Sequence, residues 1–136
     1  MLLERFTTAQ APVYATVLAE LRAGRKQTHW MWFIFPQLAA LGRSPTAKFY
    51  GLAGLEEARE YLSHAVLGRR LRECTGLVNA VSGRRAHEIF GTPDDLKFRS
   101  CATLFYRAGG GEEFAQALRQ YYDGVEDNMT VQLLDG

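Results

Sequence analysis

The sequence is divided into apolar stretches with helical spacing, each closed by a glycine or a proline. Val13, Val17 and Leu21 recur at intervals of four before Gly24, which is the pattern of an amphipathic helix that ends at a glycine. Later stretches repeat this pattern. No segment shows the period-two alternation of a half-buried strand, and no internal repeat or long linker appears. The sequence therefore predicts an all-α fold.

Further helices are predicted from their start and stop signals. Ser44-Pro45 and Thr92-Pro93 are each typical of a capping hydroxyl followed by proline at the first helical position. Glycines follow most of the apolar stretches. The helical segments are expected near residues 12–24, 45–50, 55–63, 66–81, 84–90, 94–108 and 112–122, with a short one after Asp127 or Asn128. We expect a compact domain of about seven to eight helices over residues 1–136.

Size and cysteine content are consistent with one intracellular domain. A chain of 136 residues with 47% hydrophobic content can close a single core without covalent staples. Cys74 and Cys101 have neither metal-site spacing nor the number that a disulfide scaffold needs, so we expect reduced core thiols. No stretch reaches the length of a membrane span. The N-terminus, with Glu4 and Arg5, lacks the form of a signal peptide, and a cytoplasmic location is expected.

The charge balance limits the partners that the chain can have. The net charge is +1, so no overall field would draw the protein onto nucleic acid or an anionic membrane, and neither partner is expected. Arginines nevertheless cluster locally, and their planar forks suit phosphate or carboxylate. The alternative is that these groups lie on solvated helix faces beside acidic residues. The clusters are Arg22, Arg25 and Lys26; Arg69, Arg70 and Arg72; and Arg84 and Arg85.

The segment of residues 26–37 has an unusual composition. It contains both tryptophans, two phenylalanines and His29, and polar residues stand at each end. A buried indole N–H must find a hydrogen-bond partner, so this composition predicts a pocket or a polar-anchored core. If helical, the apolar part should be buried completely and end before Pro36. Trp30 and Trp32 would then point about 160° apart, so at most one can line a pocket.

The predicted helix after Thr92 has a polar stripe. Its apolar face comprises Phe98, Cys101, Ala102 and Phe105, and its polar face comprises Arg99, Ser100, Thr103 and Arg107. If the helix is central, an arginine with two hydroxyls suits an anionic or sugar-like ligand. Alternatively, it is a surface helix on which Asp95 and Arg99 pair across one turn.

Several strings identify a family that the chain resembles. They are KQTHWMWFIFPQ (26–37), LGRSP (41–45), EYLSH (60–64), VLGRRL (66–71) and DDLKFRS (94–100). Together they closely resemble the bacterial family called domain of unknown function 1810, over nearly the whole chain. The resemblance implies a compact multihelical fold and supplies no established activity. Some members carry the label calpastatin, but this chain has no disordered, charge-rich inhibitor repeat.

These features lead to a hypothesis about a site. His29 is the side chain best suited to proton transfer near neutral pH, with Asp95 as its partner. The alternative for His29 is a hydrogen-bonded core residue. Candidate ligand-binding residues are Lys26, Thr28, Trp30, Trp32, Gln37, Arg99, Ser100 and Thr103. The hypothesis requires His29 and Arg99 to meet at a shared cavity.

Two functions remain open at this point. The first is binding of a small anionic or nucleotide-derived metabolite in an aromatic-lined pocket, with hydrolysis as an additional option. A histidine followed by aromatic residues and glutamine, then a late polar helix, is also similar to the NADAR family, which acts on N-glycosidic nucleotide derivatives. The second is a non-catalytic protein–protein interaction module. No phosphate-binding loop, Cys-x-x-Cys pair or zinc motif is present, so neither a metal nor a cofactor is expected.

Overall fold

A computed structural model describes residues 3–135 of the protein, which fold into helices joined by short connections. The α-helices are α1 (Glu4–Gln10), α2 (Tyr14–Arg22), α3 (Met31–Ile34), α4 (Pro45–Phe49), α5 (Leu55–Ser63), α6 (Leu67–Asn79), α7 (Ala86–Phe90), α8 (Asp94–Arg107), α9 (Glu112–Tyr122) and α10 (Asn128–Asp135). A 3-10 turn spans Ala39–Leu41. The all-α prediction is confirmed, and no strand occurs within residues 3–135.

The described chain has ten α-helices rather than the seven or eight expected. The two helices that were not clearly predicted are α1 and α3. Helix α1 presents Phe6 and Gln10 to the interior. Because Gln10 is polar, the buried positions of α1 do not appear as apolar residues at helical spacing. Its amide donates to the Phe33 carbonyl at 2.7 Å and to the Tyr61 hydroxyl at 3.1 Å, which satisfies it inside the core.

Helices α6 and α8 form the centre of the core. Helix α8 packs against α5, α7, α9 and α10, and α6 packs against α2, α5 and α9. The predicted apolar face of α8 is buried, with Phe98 and Phe105 almost fully enclosed. Neighbours surround α8 so closely that Ser100 and Thr103 on its polar face are buried as well. The helix is therefore central.

The aromatic segment forms only one helical turn. Trp30 and Phe35 are buried, and the Phe35 ring lies edge-on to Phe98, with centroids 4.9 Å apart. The expectation of complete burial is wrong for Trp32 and Phe33, which are partly exposed. The two side chains are covered only in part, by the Lys97 ammonium over the Trp32 ring and by the Tyr50 ring 5.3 Å from that of Phe33.

The two predicted proline-containing helix starts have different outcomes. The Ser44 hydroxyl accepts from the Ala47 amide at 3.0 Å, which confirms the cap of α4. The cap at Thr92 is wrong: α8 begins at Asp94, after a cis Thr92-Pro93 peptide, and no side chain caps it. The Thr92 hydroxyl instead lies 2.9 Å from Nδ1 of His87.

The connection that carries α4 is fixed by a close backbone approach. Leu38 and Leu52 form a bridge, in which the Ala39 amide donates to the Leu52 carbonyl at 2.8 Å. A Cβ atom at Gly51 would lie 2.2 Å from Cα of Ala39, so only glycine permits this contact. The bridge holds residues 39–50 as an arm beside α8.

The cysteines are free and buried, as predicted. Burial raises the pKa of the Cys74 thiol to about 12 and the pKa of Cys101 well above its ordinary value, so neither is a reactive thiolate at neutral pH. Within residues 3–135, the helices are all too short or too polar to cross a lipid bilayer.

Candidate functional site

A cleft of about 550 Å³ lies between the arm of residues 39–50, the first half of α8 and the start of α10. It is lined by Gln37, Leu41, Gly42, Arg43, Ser44, Ala47, Pro93, Leu96, Lys97, Ser100, Asp127 and Met129. We call this the arm cleft. Its volume is within the usual range of sites for small ligands, roughly 300–1,000 Å³.

One wall of the arm cleft is apolar. Leu96 and Met129 are 55% and 54% exposed, respectively, although both belong to helices whose other faces are packed. Leu41 and Pro93 also line the cleft. Exposed apolar side chains gathered at a concavity are typical of a surface that a ligand or a partner covers.

The polar groups of the cleft include two cations. Arg43 is exposed and forms no hydrogen bond or ion pair with any of residues 3–135. The ammonium of Lys97 lies 3.6 Å from Oδ1 of Asp94 and 5.6 Å from the centroid of the Trp32 ring. The Asp127 carboxylate caps α10 by accepting from the amide and hydroxyl of Thr130 at 2.9 and 2.6 Å. Asp127 is thus engaged, while Arg43 can bind an anion.

A narrow crevice continues the arm cleft towards the aromatic segment. Gln37, Ala47 and Lys97 line both concavities, and the crevice adds Trp32 and the rings of Phe35 and Tyr50, with a volume of about 10 Å³. Aromatic side chains therefore border one end of the cleft rather than enclosing it. Of the two tryptophans, Trp32 reaches this site and Trp30 does not.

The aromatic segment and α8 are joined by an ion pair. The Lys26 ammonium lies 3.0 Å from Oδ2 of Asp94, and the two side chains are 7% and 19% exposed. Lys26 also lies over the Trp30 ring, 5.1 Å from its centroid. Because Asp94 contacts Lys97 as well, it links the buried Trp30 side of the segment to the cleft side at Trp32.

Glu20 holds the loop that precedes the aromatic turn. Its Oε1 accepts from the Gln27 amide, the Thr28 amide and the Trp30 indole at 2.6, 3.0 and 3.0 Å. Its Oε2 accepts from the Thr28 hydroxyl at 2.6 Å. Thr28 and Trp30, predicted as ligand contacts, thus have their polar groups bonded to Glu20 and do not line the cleft.

The environment of Glu20 favours its charged form. Burial raises the pKa of its carboxyl, but the hydrogen bonds from Thr28, Gln27 and Trp30 together outweigh burial, and the pKa lies below the ordinary value. Sequence reasoning did not identify Glu20. The available signal was the group of donors at residues 27–30, which required a buried acceptor.

The proposed proton-transfer pair is not assembled in the structure. His29 is exposed, is absent from the cleft lining and forms no ion pair with Asp95 among the described residues. Asp95 lies near His87 instead, with Oδ2 3.9 Å from Nδ1. Thr92 approaches the same nitrogen, so these three groups lack the relay geometry of a triad, which needs both ring nitrogens.

The polar residues of α8 have separate surroundings. Arg99 donates from Nε to the Val125 carbonyl at 2.9 Å, and its guanidinium lies over Tyr122. The alternative pairing of Arg99 with Asp95 does not form. Thr103 donates to the Arg99 carbonyl at 2.8 Å and accepts from the Asp127 amide at 2.9 Å. Neither Arg99 nor Thr103 lines the cleft.

The structure places three of the predicted site residues at the cleft or its crevice. Gln37 and Ser100 line the arm cleft, and Trp32 lines the crevice. Arg43 and Lys97 were not chosen as site residues, although they belong to the strings LGRSP and DDLKFRS. Across residues 3–135, no cluster of three histidine, cysteine or carboxylate side chains is arranged to hold a metal ion.

Comparison with known proteins places the fold in a family. The family model described as protein of unknown function (DUF1810) matches residues 1–134. The chain belongs to the DUF1810 family. Its structure is similar to the crystal structure of the conserved hypothetical protein Rv1873 from Mycobacterium tuberculosis, with a TM-score of 0.97 and 59% identity over 98% of this chain and 96% of that chain. No curated protein matches the chain.

Proposed function

We propose that this DUF1810 protein binds a small anionic metabolite in the arm cleft. The observation that carries the proposal is the placement of Arg43 and Lys97 at one concavity with the exposed apolar side chains of Leu96 and Met129. Cations alone would suit any surface anion. Cations opposite an apolar wall suit a ligand that has an anionic group and a flat or apolar body.

A nucleotide-derived ligand fits a cleft that has cations on one side and apolar side chains on the other. Its phosphate would pair with Arg43, whose guanidinium has no acceptor within residues 3–135. Its base would pack on Leu96 and Met129, and Gln37 offers hydrogen bonds to polar ring or sugar atoms. The Ser100 hydroxyl donates to the Leu96 carbonyl at 3.2 Å and can accept one further hydrogen bond. The volume of about 550 Å³ accommodates a ligand of this size.

The lining favours binding over hydrolysis. A hydrolytic step needs a general base close to the reacting atoms. Asp127 lines the cleft but is occupied in capping α10, and His29 is not among the lining residues. The proposal is therefore a binding function, and proton transfer by His29 and Asp95 has no support from the cleft.

A protein-interaction function is the second candidate. The more than half-exposed side chains of Leu96 and Met129 favour it, because a partner helix could bury them. The charged residues separate the two candidates. A metabolite site depends on both Arg43 and Lys97, whereas an apolar interface depends mainly on Leu96 and Met129.

Thermal denaturation with nucleoside mono- and diphosphates tests the proposal. A ligand at 100 times its dissociation constant stabilises the folded state by about 2.7 kcal/mol. We expect a rise in Tm for the wild type that is clearly smaller in Arg43→Gln and Lys97→Gln. Arg119→Gln is the matched control, because Arg119 pairs with Glu112 away from the cleft and should leave the shift unchanged. An equal shift in all four proteins would exclude the cleft as the binding site.

A further inference from the structure

A second concave surface surrounds the loop between α6 and α7. Two adjoining grooves of about 440 and 380 Å³ share Ala80, Val81, Ser82 and Arg84 in their linings. Arg85 lines one groove and Arg22, from the end of α2, lines the other. We call this the SGRR surface, after residues 82–85.

The SGRR surface is positively charged on a protein that is almost neutral overall. Arg22 and Arg84 form no hydrogen bond or ion pair with any side chain of residues 3–135, and neither groove has a carboxylate in its lining. Glu88 is the nearby acid and accepts from the backbone amide and Nε of Arg85. The pKa of Glu88 lies below its ordinary value, chiefly because of the hydrogen bonds from Arg85 and also because of the charge on Arg84. Arg84 is therefore partly compensated at this surface, whereas Arg22 has no acid close to it in either lining.

Three arginines on other surfaces of the protein are neutralised. Arg72, Arg107 and Arg119 each form an ion pair with a glutamate. Pairing of this kind is what a solvated helix face normally shows. Within the described chain, Arg22 and Arg84 lack such an ion pair, as Arg43 does in the arm cleft, and here the two unpaired arginines line the same groove.

The loop backbone adds hydrogen-bond donors. The amides of Ser82, Gly83 and Arg84 donate to no acceptor within the described chain, and all three residues line one groove. Gly83 has a φ of 74°, in the left-handed region. Successive free amides beside a left-handed residue form the concavity that binds anions in many phosphate sites.

The Arg84 side chain lies beside Gly24. A Cβ atom at Gly24 would lie 3.5 Å from Cδ of Arg84 and 3.2 Å from Cγ1 of Val81. The aliphatic part of Arg84 therefore packs on the glycine that follows α2, and α2 carries Arg22. Two cations from segments about sixty residues apart in sequence thus line one groove.

We propose that the SGRR surface binds a phosphate group, as a free phosphate ester or as part of a nucleic acid backbone. Arg22 and Arg84 would supply charge-assisted hydrogen bonds, and the amides of Ser82 and Arg84, which line the same groove as Arg22, would bind the remaining oxygens. This site is separate from the arm cleft and does not depend on a metabolite binding there.

Calorimetric titration with inorganic pyrophosphate at low ionic strength tests the proposal, and a parallel titration with single-stranded RNA distinguishes the two sources. Variants are Arg22→Gln/Arg84→Gln, the matched pair Arg107→Gln/Arg119→Gln, and Arg43→Gln in the arm cleft. We expect the first variant to weaken pyrophosphate binding at least about tenfold, because two charge-assisted contacts are lost. Arg107→Gln/Arg119→Gln should bind as the wild type does, and all three variants should keep the wild-type Tm within a few degrees. Arg43→Gln measures how much pyrophosphate the arm cleft binds, and the binding that depends on Arg22 and Arg84 should remain in this variant.

The outcomes separate the alternatives. If RNA binds with the same dependence on Arg22 and Arg84, the phosphate that the SGRR surface recognises belongs to a nucleic acid backbone. If only pyrophosphate binds, the ligand is a free phosphate ester. The proposal is overturned if neither probe binds the wild type, or if Arg22→Gln/Arg84→Gln retains full affinity. Loss of pyrophosphate binding in Arg43→Gln alone would assign the anion to the arm cleft and also overturn it.

Discussion

Lys26 and Asp94, 68 positions apart in sequence, form an ion pair with 3.0 Å between Nζ and Oδ2. The pair joins the aromatic segment to the first turn of α8. Asp94 also contacts Lys97, whose ammonium lies over Trp32 at the crevice. The relative position of the aromatic segment and the cleft therefore depends on this carboxylate.

Removal of one partner should destabilise the protein. Asp94→Asn leaves the Lys26 ammonium, which is 7% exposed, without its counter-charge, and we expect a loss of about 2 kcal/mol in the free energy of unfolding. Lys26→Met should lower the free energy of unfolding by less, because the Asp94 carboxylate still contacts the ammonium of Lys97. Urea denaturation of both single variants and the double variant gives the coupling energy, expected at about 1–2 kcal/mol.

The exposed pair Arg119 and Glu112 serves as the control for that cycle. Its side chains are 59% and 70% exposed, so its coupling should be below about 1 kcal/mol. Equal coupling energies for the two pairs would show that Lys26–Asp94 does not join the segments as described.

Glu20→Gln should disrupt the loop before the aromatic turn. The carboxylate accepts four hydrogen bonds. In Glu20→Gln the side-chain NH2 group would face at least one of these N–H or O–H groups and could not accept a hydrogen bond from it. We expect a loss of about 2–4 kcal/mol in stability and a red shift of tryptophan emission as the Trp30 indole gains access to water. Glu60→Gln, at an exposed position, should change neither quantity, and a native-like emission spectrum and stability in Glu20→Gln would contradict the assigned role.

Stability should also depend on pH through Glu20. Its pKa in the folded protein lies below the ordinary value of 4.5, so the unfolded state binds the proton more tightly. The stabilisation is complete above the unfolded-state pKa and disappears as pH falls through the folded-state pKa. Urea denaturation between neutral and acidic pH should show a steeper loss for the wild type than for Glu20→Gln. Glu126, whose pKa is lowered by the hydrogen bond from Arg107, contributes equally in both proteins.

Ser100 and Thr103 should respond differently to loss of their hydroxyls. Thr103→Val removes the acceptor for the Asp127 amide inside the core, so we expect about 1–3 kcal/mol of destabilisation without a direct effect on ligand contacts. Ser100→Ala removes a group that lines the arm cleft and should weaken binding of a nucleotide with little change in stability. If Thr103→Val weakened nucleotide binding and Ser100→Ala only lowered stability, Thr103 rather than Ser100 would contact the ligand.

Local signals predicted most of the fold. Apolar spacing and bounding glycines indicated eight helical segments, because these patterns depend on neighbours within a few residues. Helix α1 was missed because its buried face includes Gln10, which bonds to Phe33 and Tyr61 far along the chain. The cap at Thr92 failed for a similar reason, since its hydroxyl contacts His87 rather than α8.

The candidate site was less predictable because it depends on distant segments. The aromatic segment and α8 were correctly chosen as the informative regions, and they do meet, but through Lys26 and Asp94. Arg43 reaches the cleft only because the Leu38–Leu52 bridge holds its arm beside α8. No periodicity in the sequence encodes that bridge, so Arg43 was not identified from the sequence.

Backbone amide NMR of the wild-type protein with saturating nucleoside monophosphates tests the central claim most directly. Binding in the arm cleft predicts chemical-shift changes concentrated at Arg43, Leu96, Lys97 and Ser100, and their loss in Arg43→Gln. Absence of any shift at these four residues, or shifts confined to residues 82–85, would contradict a metabolite site in the cleft.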